Sequence, residues 1–246
     1  MTTKSIDQLF TSVVTDPVTK VMHFLLRNNI LHFTSFTTKF GRRIPYDFRI
    51  DKACNGANIL EIGERQADQL IAIEHELGLQ FDSIFCSLYS GVFGGISTVT
   101  CMKQKYNRDI NMAISRRSYN QQDEISYHAT TGSVPTLSSI HPIKPRSWVG
   151  TLTGNILIMD EMTNTGNTVS EMLEICREQG NSAQAIMVLA DRILEPQLPA
   201  GSHVRMIDQT PCYSLITHYE IEDWCNKNSP IWSSLYQHPS TYENTN

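Results

Sequence analysis

The sequence predicts an α/β fold: a mainly parallel central sheet flanked by helices, with a small subdomain at the N-terminal end. Short apolar runs such as FDSIFCSL, NILIMD and AQAIMVLAD alternate with longer amphipathic stretches, the pattern of βαβ units. The first two of these runs are each followed by a turn rich in Gly, Ser, Thr or Asn, which punctuates strand from helix. The segment HFTSFTTKFGRRIPYDFRI, from His32 to Ile50, stands outside this alternation. It is rich in aromatic, β-branched and basic residues and reads as extended segments of a small flanking structure.

In chain order, Pro17 opens a helix whose Val18, Val21, Met22, Leu25 and Leu26 form one apolar face. After the extended segment, Ile59 to Leu77 reads as a second amphipathic helix stopped by Gly78. Phe81 to Leu88 is a buried strand, followed by a glycine-rich turn and a helix through about Tyr106. Ile110 to Ser115 and Asn155 to Asp160 are the next strands. A helix from Thr168 to Gln179 then ends at Gly180. AQAIMVLAD is the fourth strand, HVRMID and CYSLIT are candidates for the fifth and sixth, and a helix with an exposed tail (236–246) closes the chain. From Arg117 to Trp148 no periodicity is visible, only many Ser, Thr, Gln and Pro. A stretch of that length without structure of its own is a lid, a binding loop or a disordered insert. The chain is read as one domain, residues 1–246, with 17–50 and 117–148 as its irregular additions.

Composition bounds the function. Forty per cent of the 246 residues are hydrophobic and 18% charged, so a buried core is expected. A net charge of −5 opposes a broad nucleic-acid or anionic-membrane surface but permits a local basic pocket. The six cysteines show neither a CxxC pair nor metal-ligand spacing and read as reduced, mostly buried thiols. The histidines show no metal spacing, and the tryptophans read as packing residues. No signal-like segment or apolar run of membrane-spanning length is evident, so a cytoplasmic protein is expected.

In such sheets ligands sit beyond the carboxyl ends of the strands, which directs attention to the turns after Leu88, Ser115, Asp160 and Asp191. The strongest signal is NILIMDEMTNTGNTVSEM. Two acids, Asp160 and Glu161, precede a polar loop (Thr163 to Asn167) that leads into a helix. Thr165, Gly166 and Thr168 stand where amides and hydroxyls can wrap a phosphate at a helix N-terminus. The carboxylates could hold the hydroxyls of a ribose bearing that phosphate. An ordinary strand–turn–helix with an acidic corner is the alternative. The pattern resembles the phosphoribosyl pyrophosphate signature of type I phosphoribosyltransferases. Here its last part is Asn164-Thr165-Gly166-Asn167-Thr168, with Asn at the usual first Thr and second Gly, and Glu161 for the commoner second Asp.

The resemblance runs from about Val18 to Asp223 and is strongest with the orotate-specific enzymes. FTTKFGRRIPYDF resembles their N-terminal hood motif, which implies that Lys39 contacts pyrophosphate or orotate and that Tyr46 to Arg49 wall the base pocket; Asp47 stands in place of the usual aromatic. SLYSGVFGG resembles their pyrophosphate loop, with Tyr89 and Gly91 matching and Ser90 where a lysine is usual. Arg116 and Arg117 match a basic doublet directed at pyrophosphate. Arg192, 32 positions after Asp160, has the spacing of the arginine that binds orotate. A guanidinium suits bidentate recognition of the orotate carboxylate. The competing reading is a structural Asp191–Arg192 pair.

The family's lid departs most. Its basic, glycine-containing segment with a catalytic lysine is absent, SYNQQDEISYH standing there instead, and Lys144 is the candidate replacement among His128, His141, Lys144 and Arg146. The resemblance implies catalytic roles for Asp160, Glu161 and Lys144, and phosphoribosyl transfer to orotate with Mg²⁺ held largely by substrate and water. It also implies a homodimer, and a chain of 246 residues is expected to be too short for a fused decarboxylase domain. Two alternatives stay open: another acceptor base, or a ligand-sensing protein that keeps the site without turnover.

Overall fold

A computed structural model describes residues 16–37, 43–88, 90–116, 147–193 and 204–228. It begins with α1 (Pro17–Arg27) and a hairpin of β1 (Leu31–Thr37) and β2 (Arg43–Phe48). A short helix α2 (Ile50–Ala53) leads into the long α3 (Gly56–Leu77). Then follow β3 (Ser83–Cys86), α4 (Ser90–Tyr106), β4 (Asn111–Arg116), β5 (Ser147–Gly150), β6 (Ile156–Thr163), α5 (Asn167–Glu178), β7 (Ala183–Asp191), β8 (Arg205–Ile207), β9 (Thr210–Thr217) and α6 (His218–Asn228). Strands β3 to β9 form one sheet in the order β5-β4-β3-β6-β7-β9-β8. Its inner pairings are parallel, and the edge strands β5 and β8 are antiparallel to their neighbours.

Alternation along the inner strands sends successive side chains to opposite faces of the sheet. Ile84, Cys86, Leu157, Met159, Ala185 and Met187 meet Ala67, Leu70 and Ile73 of α3 and Met102 of α4. Phe85, Ile156, Ile158, Ile186 and Val188 meet Val169, Met172, Leu173 and Cys176 of α5 on the other face. This gives three layers, and each fully buried aliphatic contributes about 1.5–3 kcal/mol. The hairpin forms a third cluster, in which Ile44, Tyr46 and Phe48 pack with Met22, Phe24 and Leu25 of α1 and Ile221, Trp224 and Cys225 of α6. Tyr46 Oη lies 2.8 Å from His218 Nδ1, and both residues are buried. The N-terminal subdomain is thereby anchored to the end of the sheet.

Several expected boundaries move. Helix α3 begins at Gly56, three residues before Ile59, because the Asn55 side chain accepts from Asn58 N–H and caps it. Strand β6 runs through Thr163 because β7 pairs with it as far as Thr163↔Asp191, so Asp160 and Glu161 lie inside the strand. The irregular stretch expected over 117–148 gives way to β5 at Ser147, where Trp148 pairs with Ser115 and sets its ring edge-on to Phe85. Trp148 is therefore part of the sheet. The rest of that stretch, and the tail expected over 236–246, lie outside the described residues. Five of the six free cysteines are buried, and Cys54 is exposed. Among the described residues no helix is long and apolar enough to cross a membrane.

Candidate active site

The chain leaves β3 to form β4 on one side of it, whereas β6 and β7 lie on the other side. The order of the sheet therefore reverses between β3 and β6, and a crevice opens at the carboxyl ends of strands at such a switch point. Ser87 and Gly91 follow β3, and Asp160 and Glu161 lie near the end of β6. Ser87 N–H donates to Met159 O (3.0 Å), and Ser87 Oγ donates to Asp160 Oδ1 (2.6 Å). Gly91 N–H donates back to Ser87 Oγ (3.2 Å). A Cβ on Gly91 would lie 2.6 Å from both Met159 O and Ser87 Oγ, so only glycine allows α4 to start this close to β6. Asp160 is held further by the Glu161 amide, which donates to Oδ1 (2.8 Å). Ser87 was not singled out in the sequence, although it occupies the turn to which the strand-end rule points.

Asp160 and Glu161 line a cleft with Ile50, Cys54, Phe93 and Leu189. Successive strand residues leave on opposite faces. Asp160 is engaged by Ser87 from the β3 side, and Glu161 lies within electrostatic reach of Arg192 from the β7 side. Burial and the neighbouring Asp160 raise the Glu161 carboxyl to about 7, with Arg192 opposing the rise. Its Oε1 is buried with no hydrogen-bond partner among the described residues, and so is Thr163 Oγ1.

The expected phosphate loop is a short connection, 164–166, between β6 and α5. Gly166 is the N-cap of α5 with φ +87°, a left-handed conformation that favours glycine, and no side-chain hydrogen bond caps the helix. Among the described residues only the Thr165 hydroxyl approaches the first amides, accepting from Asn167 N–H at a long 3.5 Å, so the helix start can still receive an anion. Thr165, Asn167 and Thr168 are exposed around this start. Arg192 is buried, its amide donates to Thr163 O (2.8 Å), and its Nε donates to Asn164 Oδ1 (2.9 Å). Burial lowers its pKa, while Tyr46, Glu161 and Asp47 favour the charge. The hairpin strand β2 thus stands beside this guanidinium. Tyr46 itself is fully buried, with its ring packed against Phe48 and His218. The Asp191–Arg192 pair considered as an alternative does not form: Asp191 Oδ1 accepts from Arg205 Nη1 (3.3 Å). Lys39, Tyr89, Arg117 and Lys144 lie outside the described residues, as do the side chains of Ser90 and Arg116.

No protein-family profile matches the chain. Sequence comparison finds the orotate phosphoribosyltransferase of Stutzerimonas stutzeri, 27% identical over 208 residues that cover 82% of this chain and 86% of the relative. That of Neisseria meningitidis is 28% identical over 172 residues, 70% of each chain. The crystal structure of orotate phosphoribosyltransferase from Francisella tularensis superimposes with a TM-score of 0.62 at 18% identity, over 92% of this chain and all of that one. The chain is similar to the orotate phosphoribosyltransferases over most of its length. Its fold is that of the type I phosphoribosyltransferases, and its enzyme class is that of the pentosyltransferases.

The raised pKa of the Glu161 carboxyl has a measurable consequence. The folded chain retains a proton that the unfolded chain loses between about 4.5 and about 7. This contribution to stability is full below the lower value and is lost as pH rises through the upper one. The empty protein is therefore expected to melt at lower temperature at pH 8 than at pH 5.5, with the difference reduced in Glu161→Gln. If Glu161 receives a ribose hydroxyl, its ionised form is the stronger acceptor, and affinity for phosphoribosyl pyrophosphate is then expected to rise with pH and level off above about 7. Calorimetry of both proteins across this range separates the carboxyl from the ligand's own ionisation. An identical profile in Glu161→Gln refutes the assignment.

Proposed function

We propose that the chain transfers the 5-phosphoribosyl group from phosphoribosyl pyrophosphate to orotate, giving orotidine 5′-monophosphate and pyrophosphate. The observation that carries this reading is the hydrogen bond between Arg192 and Asn164. It sets a buried guanidinium, suited to a carboxylate on the base, directly against the loop suited to the phosphate of the ribose. Orotate N1 attacks C1′ and gives up its proton to water, the bond from C1′ to the pyrophosphate oxygen breaks, and its electron pair leaves with pyrophosphate. Asp160 and Glu161 take the ribose hydroxyls, and the amides of Gly166 to Thr168 take the 5-phosphate. The turn Tyr89 to Gly91, the doublet Arg116 and Arg117, and Lys39 receive the leaving group. Lys144 is assigned the cation of a lid that closes over it. Holding the partners in line and shielding C1′ from water are the main tasks of the protein.

Mg²⁺ fits this corner, since its oxygen donors suit a hard cation and Glu161 Oε1 is a buried acceptor without a partner among the described residues. Asp160 and Glu161 would orient the hydrated ion, which screens the negative charge gathering on pyrophosphate. A homodimer and a cytoplasmic location accompany this reading.

A second reading has its own support. Glu161 and Asp47 already stabilise the charge of Arg192, which favours a less anionic base, whereas Ser90 in place of a pyrophosphate-binding lysine favours a sensing protein without turnover. Incubation with phosphoribosyl pyrophosphate, Mg²⁺ and a panel of bases, with pyrophosphate release as readout, decides among them. Release with orotate and little with uracil, which lacks only the carboxylate, is the expected result. Equal release with both overturns the orotate assignment, and tight binding without release from any base identifies a sensing protein.

A further inference from the structure

The short edge strand β8 carries one basic residue, Arg205, which the sequence did not single out. Its guanidinium is largely buried and faces the β6–α5 loop. Nη1 donates to Asp191 Oδ1 at 3.3 Å, and Nη2 donates to Thr165 O at 3.4 Å. A Cβ placed on Gly166 would lie 3.3 Å from Nη2 and 3.4 Å from the side chain of Ile207, so β8 lies directly against the loop. Asp191, buried at the end of β7, also accepts from Ile193 N–H (3.2 Å), which fixes the carboxylate that aims Arg205.

A trans peptide points its C=O and its N–H in opposite directions. The carbonyl of Thr165 and the amide of Gly166 belong to one such peptide. A donor that draws Thr165 O toward β8 therefore turns Gly166 N–H away from β8, toward the mouth of the loop. Gly166, with φ +87°, is the residue at which the chain makes this reversal before entering α5.

We propose that Arg205 is a positioning residue for the phosphate loop, orienting the Thr165–Gly166 peptide so that Gly166 N–H faces the 5-phosphate of the ligand. Arg205 acts through the loop and does not touch the ligand. The inference rests on the reading of this loop as the 5-phosphate site, and it adds a member from a separate strand. Its effect is confined to the phosphate end, because β6, β7 and β9 lie between β3 and the edge strand β8.

Two probes divide the ligand for the test. Ribose 5-phosphate carries the 5-phosphate alone, and magnesium pyrophosphate carries the leaving group alone. By calorimetry, Arg205→Gln is expected to weaken ribose 5-phosphate at least tenfold and to change pyrophosphate less than twofold. Arg205→Lys, which keeps one donor, should recover part of the loss. In turnover, KM for phosphoribosyl pyrophosphate should rise while kcat changes little. Ribose 5-phosphate binding at wild-type strength in a folded Arg205→Gln, whatever its melting temperature, overturns the inference. So does an equal loss of both probes, which marks a general structural role. If Arg205→Gln does not fold, Arg205→Lys is read by the same criteria: loss confined to ribose 5-phosphate supports the proposal, and unchanged binding overturns it. A wild-type protein that binds pyrophosphate but no ribose 5-phosphate would refute the loop assignment itself, an outcome distinct from any effect of Arg205.

Discussion

Gly166→Val is expected to reduce affinity for phosphoribosyl pyrophosphate by about 10- to 100-fold, about 1.4–2.7 kcal/mol. Two effects act together. The residue holds φ +87°, where a β-branched side chain is strained, and the left-handed region costs even an ordinary residue about 1–2 kcal/mol. The new side chain would also press on Arg205 and Ile207, which stand 3.3–3.4 Å from a Cβ there. The loop must move, and the first amides of α5 move with it. Thermal melting of the empty variant reads the strain, and calorimetry reads the loss of ligand. Unchanged affinity in a folded variant would remove this loop from the binding site. Gly166→Ala meets the same backbone strain with a smaller clash and should fall between the two.

Arg192→Ala should cost orotate at least 100-fold in affinity while phosphoribosyl pyrophosphate stays within about threefold, a selective loss of about 2.7 kcal/mol. A carboxylate enclosed without its guanidinium keeps its desolvation cost and loses its partner. Arg192→Lys should recover little, because the ammonium cannot reproduce the planar fork or the Nε bond to Asn164. Arg192→Ala also removes the positive neighbour of Glu161, so the inflection of the ligand-affinity profile should move above about 7. Equal loss of both ligands would make Arg192 a structural arginine, and retention of both would transfer base selection to other residues.

How much of this was legible in the sequence depended on whether the signal was local. Strand β7 spans Ala183–Asp191, the nine residues AQAIMVLAD expected, because an uninterrupted apolar run covered on both faces declares itself. Helix α5 starts one residue before its expected Thr168, at the position where the turn glycine forces the change. The beginning of α3 was set by a cap, Asn55, that carries no apolar periodicity and so escaped a reading by apolar stripe. Strand β5 is four residues long and joins an irregular stretch, and only its pairing with β4 makes it a strand. At the site, the acids, the loop and Arg192 were visible because each lies beside a strand end in the chain. Ser87 and Arg205 act across strands, from 73 and 40 residues away in the chain, through single hydrogen bonds to Asp160 and to Thr165 O. No pattern along one sequence encodes such a contact. The ion pair of Asp191 was likewise unreadable, since its partner turned out to be Arg205 and not the adjacent Arg192.

The distribution of thiols makes the protein convenient to observe. Burial pushes Cys86 and Cys212 up to about 12 and Cys176 up to about 11, so these sulfurs stay protonated and poorly reactive near neutral pH. Cys54 alone is exposed among the six, and it stands at the wall of the cleft that Asp160 and Glu161 share. A maleimide dye added to the unmodified chain should therefore attach at one place, within the cleft, without any engineered cysteine. Its emission would report ligand arrival in real time, so that binding at the ribose acids can be timed separately from the appearance of product.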